Sequence, residues 1–515
     1  MMTKKIILIL LIIIGFLTLG FSFGKKFFSK ESFQNSPVLA QSSTDWPQLQ
    51  HDAQHSGYVP QTVGPPYTQL WRVKHFPIST RVQPIIAENK IFLPSNNGSF
   101  YALNTVNGQI SWSYLTGGAL VNTAAYNQGK VYFGSTDHYI YALNAVNGSL
   151  AWRYLTSSTV KTAPVVAEGK VFIGGSDGYF YALEENSGSL VWRYYVGMPI
   201  YDSAAYDNGR VYFGGMDSKA YALEASTGNL LWSFQTNGQG FRDRWTVAGN
   251  GKAFFTPMLI DYHQALNSGT YLFHAENNIY NQPWSVQKQA IVDHLASNPY
   301  QQAMYVLNQQ TGQQPFVAPV LYASGGSSSP HPQPVLLPNG NVNVIYRRGF
   351  PDEPAESGAT TVDSLFVGEL DVNSGDIIPI DDCRTINNGG RSCGSPFTSD
   401  ESAALIKSGR ILYEDIARGL IGLDTANNSF LPLIALLSPC VPPFLCNNDC
   451  SNIAVTFNDY VPPPVGWRLH DEPGEVIYQE ANSDGNDTKR PTPLAGNVFY
   501  ILHLSDLVAV QGAYQ

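Results

Sequence analysis

Short runs of apolar residues, each bounded by turn-forming residues, follow one another through the middle of the chain. Residues 162–195 contain four of them, TAPVVA, KVFIGG, YFYALE and LVWRYY, all rich in β-branched and aromatic residues. Between them lie Glu-Gly, Ser-Asp-Gly and Ser-Gly, which accept the positive φ angles of tight hairpins. The pattern predicts four short strands that form one antiparallel sheet.

This four-strand unit repeats every 40 residues. The tripeptide YAL recurs at this interval, and so does a tryptophan that follows it in each unit. A single sheet with two apolar faces cannot bury both, so neighbouring units must stack around an axis. We therefore predict a β-propeller in which each repeat is one blade. The tyrosines are Tyr101, Tyr141, Tyr181 and Tyr221, and the tryptophans are Trp112, Trp152, Trp192 and Trp232.

Four less regular blades follow, and the last one lacks an outer strand at the end of the chain. Residues 69–76, QLWRVKHF, have the pattern of an outer strand without a blade of its own. Pairing the two segments would close the ring and remove two exposed sheet edges. The expected fold is all-β, an eight-bladed β-propeller of four-stranded antiparallel blades. The blades start at Asn89, Gly129, Gly169, Gly209, Gly251, Gly340, Gly409 and Gly496.

The fifth blade contains an insertion at about residues 258–302. Within it, Trp284, Ile291 and Leu295 have the spacing of one helical face, and Pro299 is a stop signal, so we expect a small helix. After the insertion, Phe316 takes the place of the repeated tryptophan. Long loops also interrupt the later blades, and long ordered loops often carry function.

The N-terminus predicts a membrane segment. Residues 6–23 form an uncharged apolar run of 18 residues with lysines on both sides, which is long enough to span a bilayer. No small-residue cleavage site follows closely, which favours an uncleaved anchor over a signal peptide whose removal would give a secreted protein. We assign residues 1–30 to this transmembrane signal anchor, 31–44 to a linker and 45–515 to the propeller.

The cysteines favour an oxidising compartment outside the cytoplasm, because they lie late in the chain in segments typical of surface loops. A disulfide between Cys383 and Cys393 is the simplest pairing, with one further pair left open among the last three. Zinc binding by these three is disfavoured, since their spacing matches no zinc signature. They are Cys440, Cys446 and Cys450.

A motif of the form A-x-[N/E]-x-x-x-G-x-x-x-W recurs in every regular blade, as in ALNTVNGQISW. It resembles the tryptophan-docking repeat of the bacterial pyrroloquinoline-quinone (PQQ) dehydrogenase-like propellers. That superfamily also contains the non-catalytic propeller lipoprotein of outer-membrane assembly. The resemblance implies that the four repeated tryptophans are structural residues that pack between blades, and not a substrate cage.

Catalysis is not indicated by the motifs. PQQ dehydrogenases carry adjacent cysteines, calcium ligands and a catalytic aspartate, whereas this chain has no Cys-Cys pair and no C-x-x-C-H haem motif. His51 and His55 have a spacing that can suit a metal but no third ligand nearby, and we expect them to be structural and near the surface. We predict no catalytic residue, metal or cofactor; PQQ with calcium belongs to the alternative, a diverged quinoprotein oxidoreductase.

Charged residues precede several blades and are expected to surround the mouth of the central channel, where propellers bind ligands. They predict a binding scaffold for an unknown protein or small ligand, although solvated loop charges are the simpler interpretation. The net charge of −10 argues against a nucleic-acid partner, and we expect a monomer outside the cytoplasm, held at the cell membrane. The candidates are Arg81, Lys161, Asp202, Arg242, Asp243, Arg244, Trp245, Glu401 and Lys489.

Overall fold

The computed structural model describes most of the propeller. The described residues are 45–74, 76–79, 81–258, 277, 279, 282–321, 333–349, 363–380, 384–385, 391–392, 405–416, 419–427, 429–431, 434–435, 492–503 and 506–515. The predicted anchor, the linker and all five cysteines, with the disulfide between Cys383 and Cys393, lie outside these residues. Among the described residues no helix is long and apolar enough to cross a membrane.

Blades 1 to 4 are regular four-stranded antiparallel sheets in which each strand pairs with the next in sequence. Blade 1 consists of Ile85–Ala87, Lys90–Pro94, Ser99–Asn104 and Ile110–Leu115. Blade 2 consists of Ala125–Asn127, Lys130–Gly134, Tyr139–Asn144 and Leu150–Leu155. Blade 3 consists of Val165–Ala167, Lys170–Gly174, Tyr179–Glu184 and Leu190–Tyr195, and blade 4 of Ala205–Asp207, Arg210–Gly214, Lys219–Glu224 and Leu230–Gln235.

Blades 5 to 7 keep this order with irregularities. Blade 5 has three strands in the described residues, Val247–Gly249, Lys252–Phe255 and Tyr305–Asn308. Blade 6 consists of Val335–Leu336, Val342–Gly349, Asp363–Leu370 and Ile377–Pro379. Blade 7 consists of Ile406–Ser408, Ile411–Ile416, Gly419–Asp424 and a broken outer strand, Ser429–Phe430 and Ile434–Ala435.

Blade 8 closes the ring with strands from both ends of the described chain. Leu494–Ala495, Val498–His503 and Asp506–Tyr514 form its inner three strands, and Val63–Val73 pairs antiparallel with the last of them. The Arg72 Nε donates to the Asp506 carboxylate at 2.7 Å within this pairing. The predicted eight-bladed closure is confirmed, and the closing strand begins at Val63, earlier than the predicted residues 69–76.

The eight predicted blade starts all lie in the turn between the first and second strands. Each has a positive φ, from 54° at Gly409 to 93° at Gly340, with Asn89 at 56°. A residue in the left-handed backbone conformation is required there because the chain reverses direction within two residues. Glycine and asparagine adopt this conformation at the lowest energetic cost. The short turn signal therefore fixes the blade positions even where the 40-residue spacing is lost.

Repeated tryptophans join each regular blade to the next. The Trp152 ring packs on Gly188 of blade 3, where a Cβ would lie 2.5 Å from the ring, and its Nε1 donates to the Glu185 carbonyl at 3.0 Å. Phe316 packs in the same way on Gly375 of blade 6. The equivalent contacts are Trp71 on Gly108, Trp112 on Gly148, Trp192 on Gly228 and Trp232 on Gly312.

The insertion in blade 5 contains a helix, α1, at Trp284–Ser297, followed by a 3₁₀ turn at Pro299–Gln301. Ile291 and Leu295 are buried on one face, as the spacing predicts. Trp284 Nε1 donates to the Ile377 carbonyl of blade 6 at 3.0 Å, and its ring lies 4.9 Å from that of Tyr346. The helix therefore covers blade 6.

Candidate functional site

The two faces of the ring differ in how their strands are connected. In an antiparallel blade, strands one and three begin on the same face, so the links from strand two to three and from blade to blade share that face. We call it the mouth face, and the opposite one the turn face. On the turn face, every described connection is a short turn, such as residues 105–109 or 371–376.

The strand ends that flank every long connection lie on the mouth face. These connections join strand two to strand three in blades 5 and 6, or one blade to the next. The mouth face is therefore the one to which the long connections attach. The long connections comprise residues 256–304, 317–334, 350–362, 380–405 and 436–493.

An N-terminal strap, residues 46–61, runs around the inner strands of blades 1 to 7 in order. It exchanges backbone hydrogen bonds with Ile86 of blade 1 at 2.8 and 2.9 Å and reaches blade 7 at Lys407, whose N–H donates to the Gly57 carbonyl at 2.8 Å. Each first strand thus gains a partner on the edge that faces the axis. The residues contacted between these two are Tyr126, Val166, Tyr206, Ala248 and Leu336.

An ion pair crosses the mouth of the channel. Arg81 lies just before blade 1 and Asp243 just before blade 5, on opposite sides of a ring of eight, yet Arg81 Nη2 is 2.8 Å from Asp243 Oδ1. Asp243 Oδ2 in turn accepts a hydrogen bond from Arg242 Nε at 3.0 Å. Both partners of the crossing pair are partly exposed. The carboxylate of Asp243 therefore holds two guanidinium groups together over the axis.

Tyr201, just before blade 4, contacts two of the cationic side chains at the mouth. The ribbon Tyr201–Ser203 pairs in parallel with Arg242–Trp245, which sets these two segments side by side. The Lys161 ammonium and the Arg242 guanidinium each lie 5.7 Å from the centroid of the Tyr201 ring, within the range of a cation–π interaction. We call Arg81, Lys161, Tyr201, Arg242 and Asp243 the mouth cluster.

A buried polar column lies beside the mouth cluster. Asp202 Oδ2 accepts hydrogen bonds from Thr246 Oγ1 at 2.7 Å and from the Gly214 N–H at 2.9 Å. His55 of the strap donates from Nδ1 to the Thr246 carbonyl at 2.8 Å. Burial raises the pKa of Asp202 to about 7 and lowers the pKa of His55 to about 4, because each charged form loses its hydration.

The structure brings together most of the predicted binding residues, although several are less accessible than a rim of solvated charges would be. Lys161 and Asp202 are each 3% exposed, and Trp245 is 6% exposed and belongs to the same apolar cluster as Leu49 of the strap. Arg244 is partly buried and adjoins the others in the ribbon. Glu401 and Lys489 lie outside the described residues.

Sequence reasoning missed Tyr201, Thr246 and the role of His55. Tyr201 and Thr246 directly adjoin predicted residues, so the alignment of the blades could have found them. The expectation that both strap histidines lie near the surface is wrong for His55, which is 1% exposed, whereas His51 is partly exposed. Local sequence could not show this burial, because the blade 5 segment that covers His55 is distant in the chain.

One known protein family has a sequence profile that matches part of this chain. The sequence profile described as outer membrane protein assembly factor BamB matches residues 115–244 and, in a second overlapping match, residues 182–314. Comparison with curated protein sequences gives no match. The profile covers less than half of the chain, but it falls on the regular repeats that form blades 2 to 5. The protein is a PQQ-like β-propeller.

The solved structures that are similar to this chain have low sequence identity to it. The quinohemoprotein alcohol dehydrogenase from Comamonas testosteroni is 15% identical, with 77% of this chain and 74% of that chain covered at a TM-score of 0.50. A europium-containing methanol dehydrogenase is 14% identical, with 78% and 87% covered at 0.50. BamB from Moraxella catarrhalis is 13% identical, with 86% and 99% covered at 0.49.

The described residues of this PQQ-like propeller do not fit a calcium-bound quinone at the mouth. The Asp243 carboxylate is engaged by two arginines, and the Asp202 carboxylate already accepts two protein hydrogen bonds. No three His, Cys, Asp or Glu side chains are grouped for a metal in the described part of the chain.

The buried column predicts opposing pH effects on the stability of the propeller. Because the pKa of Asp202 is raised in the folded state, this residue contributes most to the free energy of unfolding below pH 4. That contribution is lost as the pH rises to about 7. We expect the stability of Asp202→Asn relative to wild type to increase between pH 4 and 8, by on the order of 4 kcal/mol. Urea unfolding at a series of pH values measures this difference, and a flat difference would contradict it.

His55→Asn is the matching variant with the opposite sign. Because the pKa of His55 is lowered in the folded state, this residue contributes fully to the free energy of unfolding above pH 6.5. That contribution is lost as the pH falls to about 4. Asparagine tolerates the φ of 58° at this position and offers an amide donor to Thr246. Relative to wild type, this variant should gain stability as the pH falls from 6.5 to 4.

Proposed function

We propose that the protein is a membrane-tethered, extracytoplasmic binding scaffold that holds a carboxylate-bearing ligand or partner at the mouth cluster and performs no catalysis. The observation that carries the proposal is the convergence of cationic side chains on one mouth, from blades on opposite sides of the ring. Arg81 and Arg242 meet there on the Asp243 carboxylate, and Lys161 and Arg242 lie over the Tyr201 ring. Guanidinium groups bind carboxylates with paired, directional hydrogen bonds.

The difference between the two faces of the ring also favours the mouth face as the binding surface. The strap hydrogen-bonds to the inner strands of seven blades, whereas the strand ends that flank the long connections lie on the mouth face. The apolar run at residues 6–23 would tether this scaffold to the membrane, with its body outside the cytoplasm.

Replacing Arg242 and Arg244 with alanine is expected to reduce carboxylate binding by at least about tenfold, because two charge-assisted contacts are lost. Isothermal titration with citrate and with a hexaglutamate peptide measures the binding. Both side chains are partly exposed, so the thermal midpoint should change little.

Arg153→Ala is the matched control for this experiment. Its guanidinium also lies over a tyrosine, 4.5 Å from the Tyr139 centroid, but it belongs to the outer strand of blade 2. The control should bind both probes as the wild type does. Equal binding by the double variant and the wild type would contradict the proposal, as would dye reduction by the protein after addition of PQQ and calcium.

A further inference from the structure

The carboxylate of Asp243 occupies the centre of the mouth cluster. It receives Arg81 from the blade 1 side on one oxygen at 2.8 Å and Arg242 on the other at 3.0 Å. One carboxylate therefore joins two guanidinium groups that reach it from opposite sides of the channel. This is the arrangement in which a ligand carboxylate would be held.

Other acids in turns of the mouth face have a different use. Asp137, Asp177 and Asp217 each lie in the turn between strands two and three and accept a tyrosine hydroxyl hydrogen bond, at 2.8, 2.6 and 2.5 Å respectively. Those bonds fix the turn within its own blade. Asp243 instead reaches across the ring to an arginine of another blade, so its contact does not complete the fold of blade 5.

The backbone of Asp243 is also unusual. Its φ is 65°, in the left-handed region that residues other than glycine seldom adopt. Asp243 lies between two arginines in the sequence Arg-Asp-Arg, and its side chain is 24% exposed. Part of the side chain is therefore open to solvent, while the Oδ1 atom that meets Arg81 is buried. Backbone strain of this kind is concentrated at functional sites.

Building on the proposed function, we propose that Asp243 is a built-in competitor at the mouth. Its carboxylate occupies Arg81 and Arg242 in the absence of a ligand, and the carboxylate of the ligand binds by taking its place. The exchange conserves the charge around the arginines, so neither guanidinium has to be desolvated alone. The ligand chemistry is a carboxylate, from a small polycarboxylic acid or from acidic side chains of a peptide.

Asp243→Asn tests this competition. Asparagine keeps the size of the side chain and tolerates the positive φ, but it lacks the charge that holds the arginines. Each partly exposed ion pair is worth up to about a factor of five, so the loss of two should raise carboxylate affinity several-fold, up to about 25-fold. Titration with citrate measures the small-acid arm, and titration with hexaglutamate measures the peptide arm.

Two further variants make the result specific. Asp293→Asn on the exposed face of α1 changes the net charge equally, and its affinity should equal that of the wild type. Adding Arg81→Ala to Asp243→Asn should remove the gain, because the released guanidinium is then absent. An unchanged or lower affinity of Asp243→Asn, or an equal gain in Asp293→Asn, would overturn the proposed competition.

The outcomes separate this competition from the proposed function. Binding by the wild type that depends on Arg242 but does not increase in Asp243→Asn would support a carboxylate scaffold and reject the competition. Binding by Asp243→Asn without any by the wild type would support the competition and reject carboxylate binding as the function of the native protein. No binding by either would reject both.

Discussion

A variant that lacks residues 69–73 is expected to lose the soluble, monomeric propeller. These residues form the C-terminal half of Val63–Val73, the outer strand of blade 8, and include Trp71, which packs on Gly108 of blade 1. Their removal breaks the pairing with Asp506–Tyr514 and the contact between Arg72 and Asp506. The open edge of blade 8 would then pair with other chains.

Size-exclusion chromatography and thermal unfolding measure the effect of this deletion. Gln69→Ala, which changes an exposed residue of the same strand, should remain monomeric with the wild-type unfolding midpoint. Trp71→Ala is a milder test of the closure and should lower the free energy of unfolding by about 3–5 kcal/mol. A monomeric deletion variant that unfolds cooperatively at the wild-type midpoint would contradict closure through this strand.

Trp152→Ala is expected to lower the free energy of unfolding by about 3–5 kcal/mol. The side chain is 7% exposed, packs on Gly188 and lies 5.8 Å from the Tyr132 ring centroid. Its removal leaves a cavity between blades 2 and 3 and leaves the Glu185 carbonyl without the indole donor, which adds to the cost. Urea unfolding followed by far-UV circular dichroism measures the change.

Leu150→Ala is the control for Trp152→Ala, since Leu150 belongs to the same strand and is 42% exposed. It should change the free energy of unfolding by less than about 0.5 kcal/mol. Gly188→Ala should be destabilising alone, because its Cβ would lie 2.5 Å from the Trp152 ring at a φ of 70°. It should cost less in the Trp152→Ala background, where the ring is gone. Additive effects of the two would contradict docking between these residues.

Local sequence was sufficient for the blades. The turn residues Asn89 and Gly340 adopt positive φ because of the turns that they form, and such turns can be recognised from a few neighbouring residues. The helix at Trp284–Ser297 was likewise predicted from the spacing of its buried residues. The length of the strand that begins at Val63 was not predicted, since its partner lies at the other end of the chain.

The mouth cluster was predicted only in part. The blade alignment placed Arg81 and Asp243 near the channel, because equivalent positions of a repeat occupy equivalent places around the axis. It did not predict that Lys161 is buried or that Asp202 bonds to Thr246. Burial and hydrogen bonding depend on the loops of neighbouring blades, which differ from one repeat to the next.

The sequence by itself determined the repeat, the number of blades, the turns and the residues that dock one blade on the next, because these contacts join neighbouring repeats through a recurring local pattern. Only the tertiary structure decided the course of the strap, the burial of His55 and the pairing of Arg81 with Asp243. The reason is ring closure. It brings blade 1 opposite blade 5 and sets an N-terminal segment against seven inner strands, and no local pattern specifies contacts between residues so far apart in the chain.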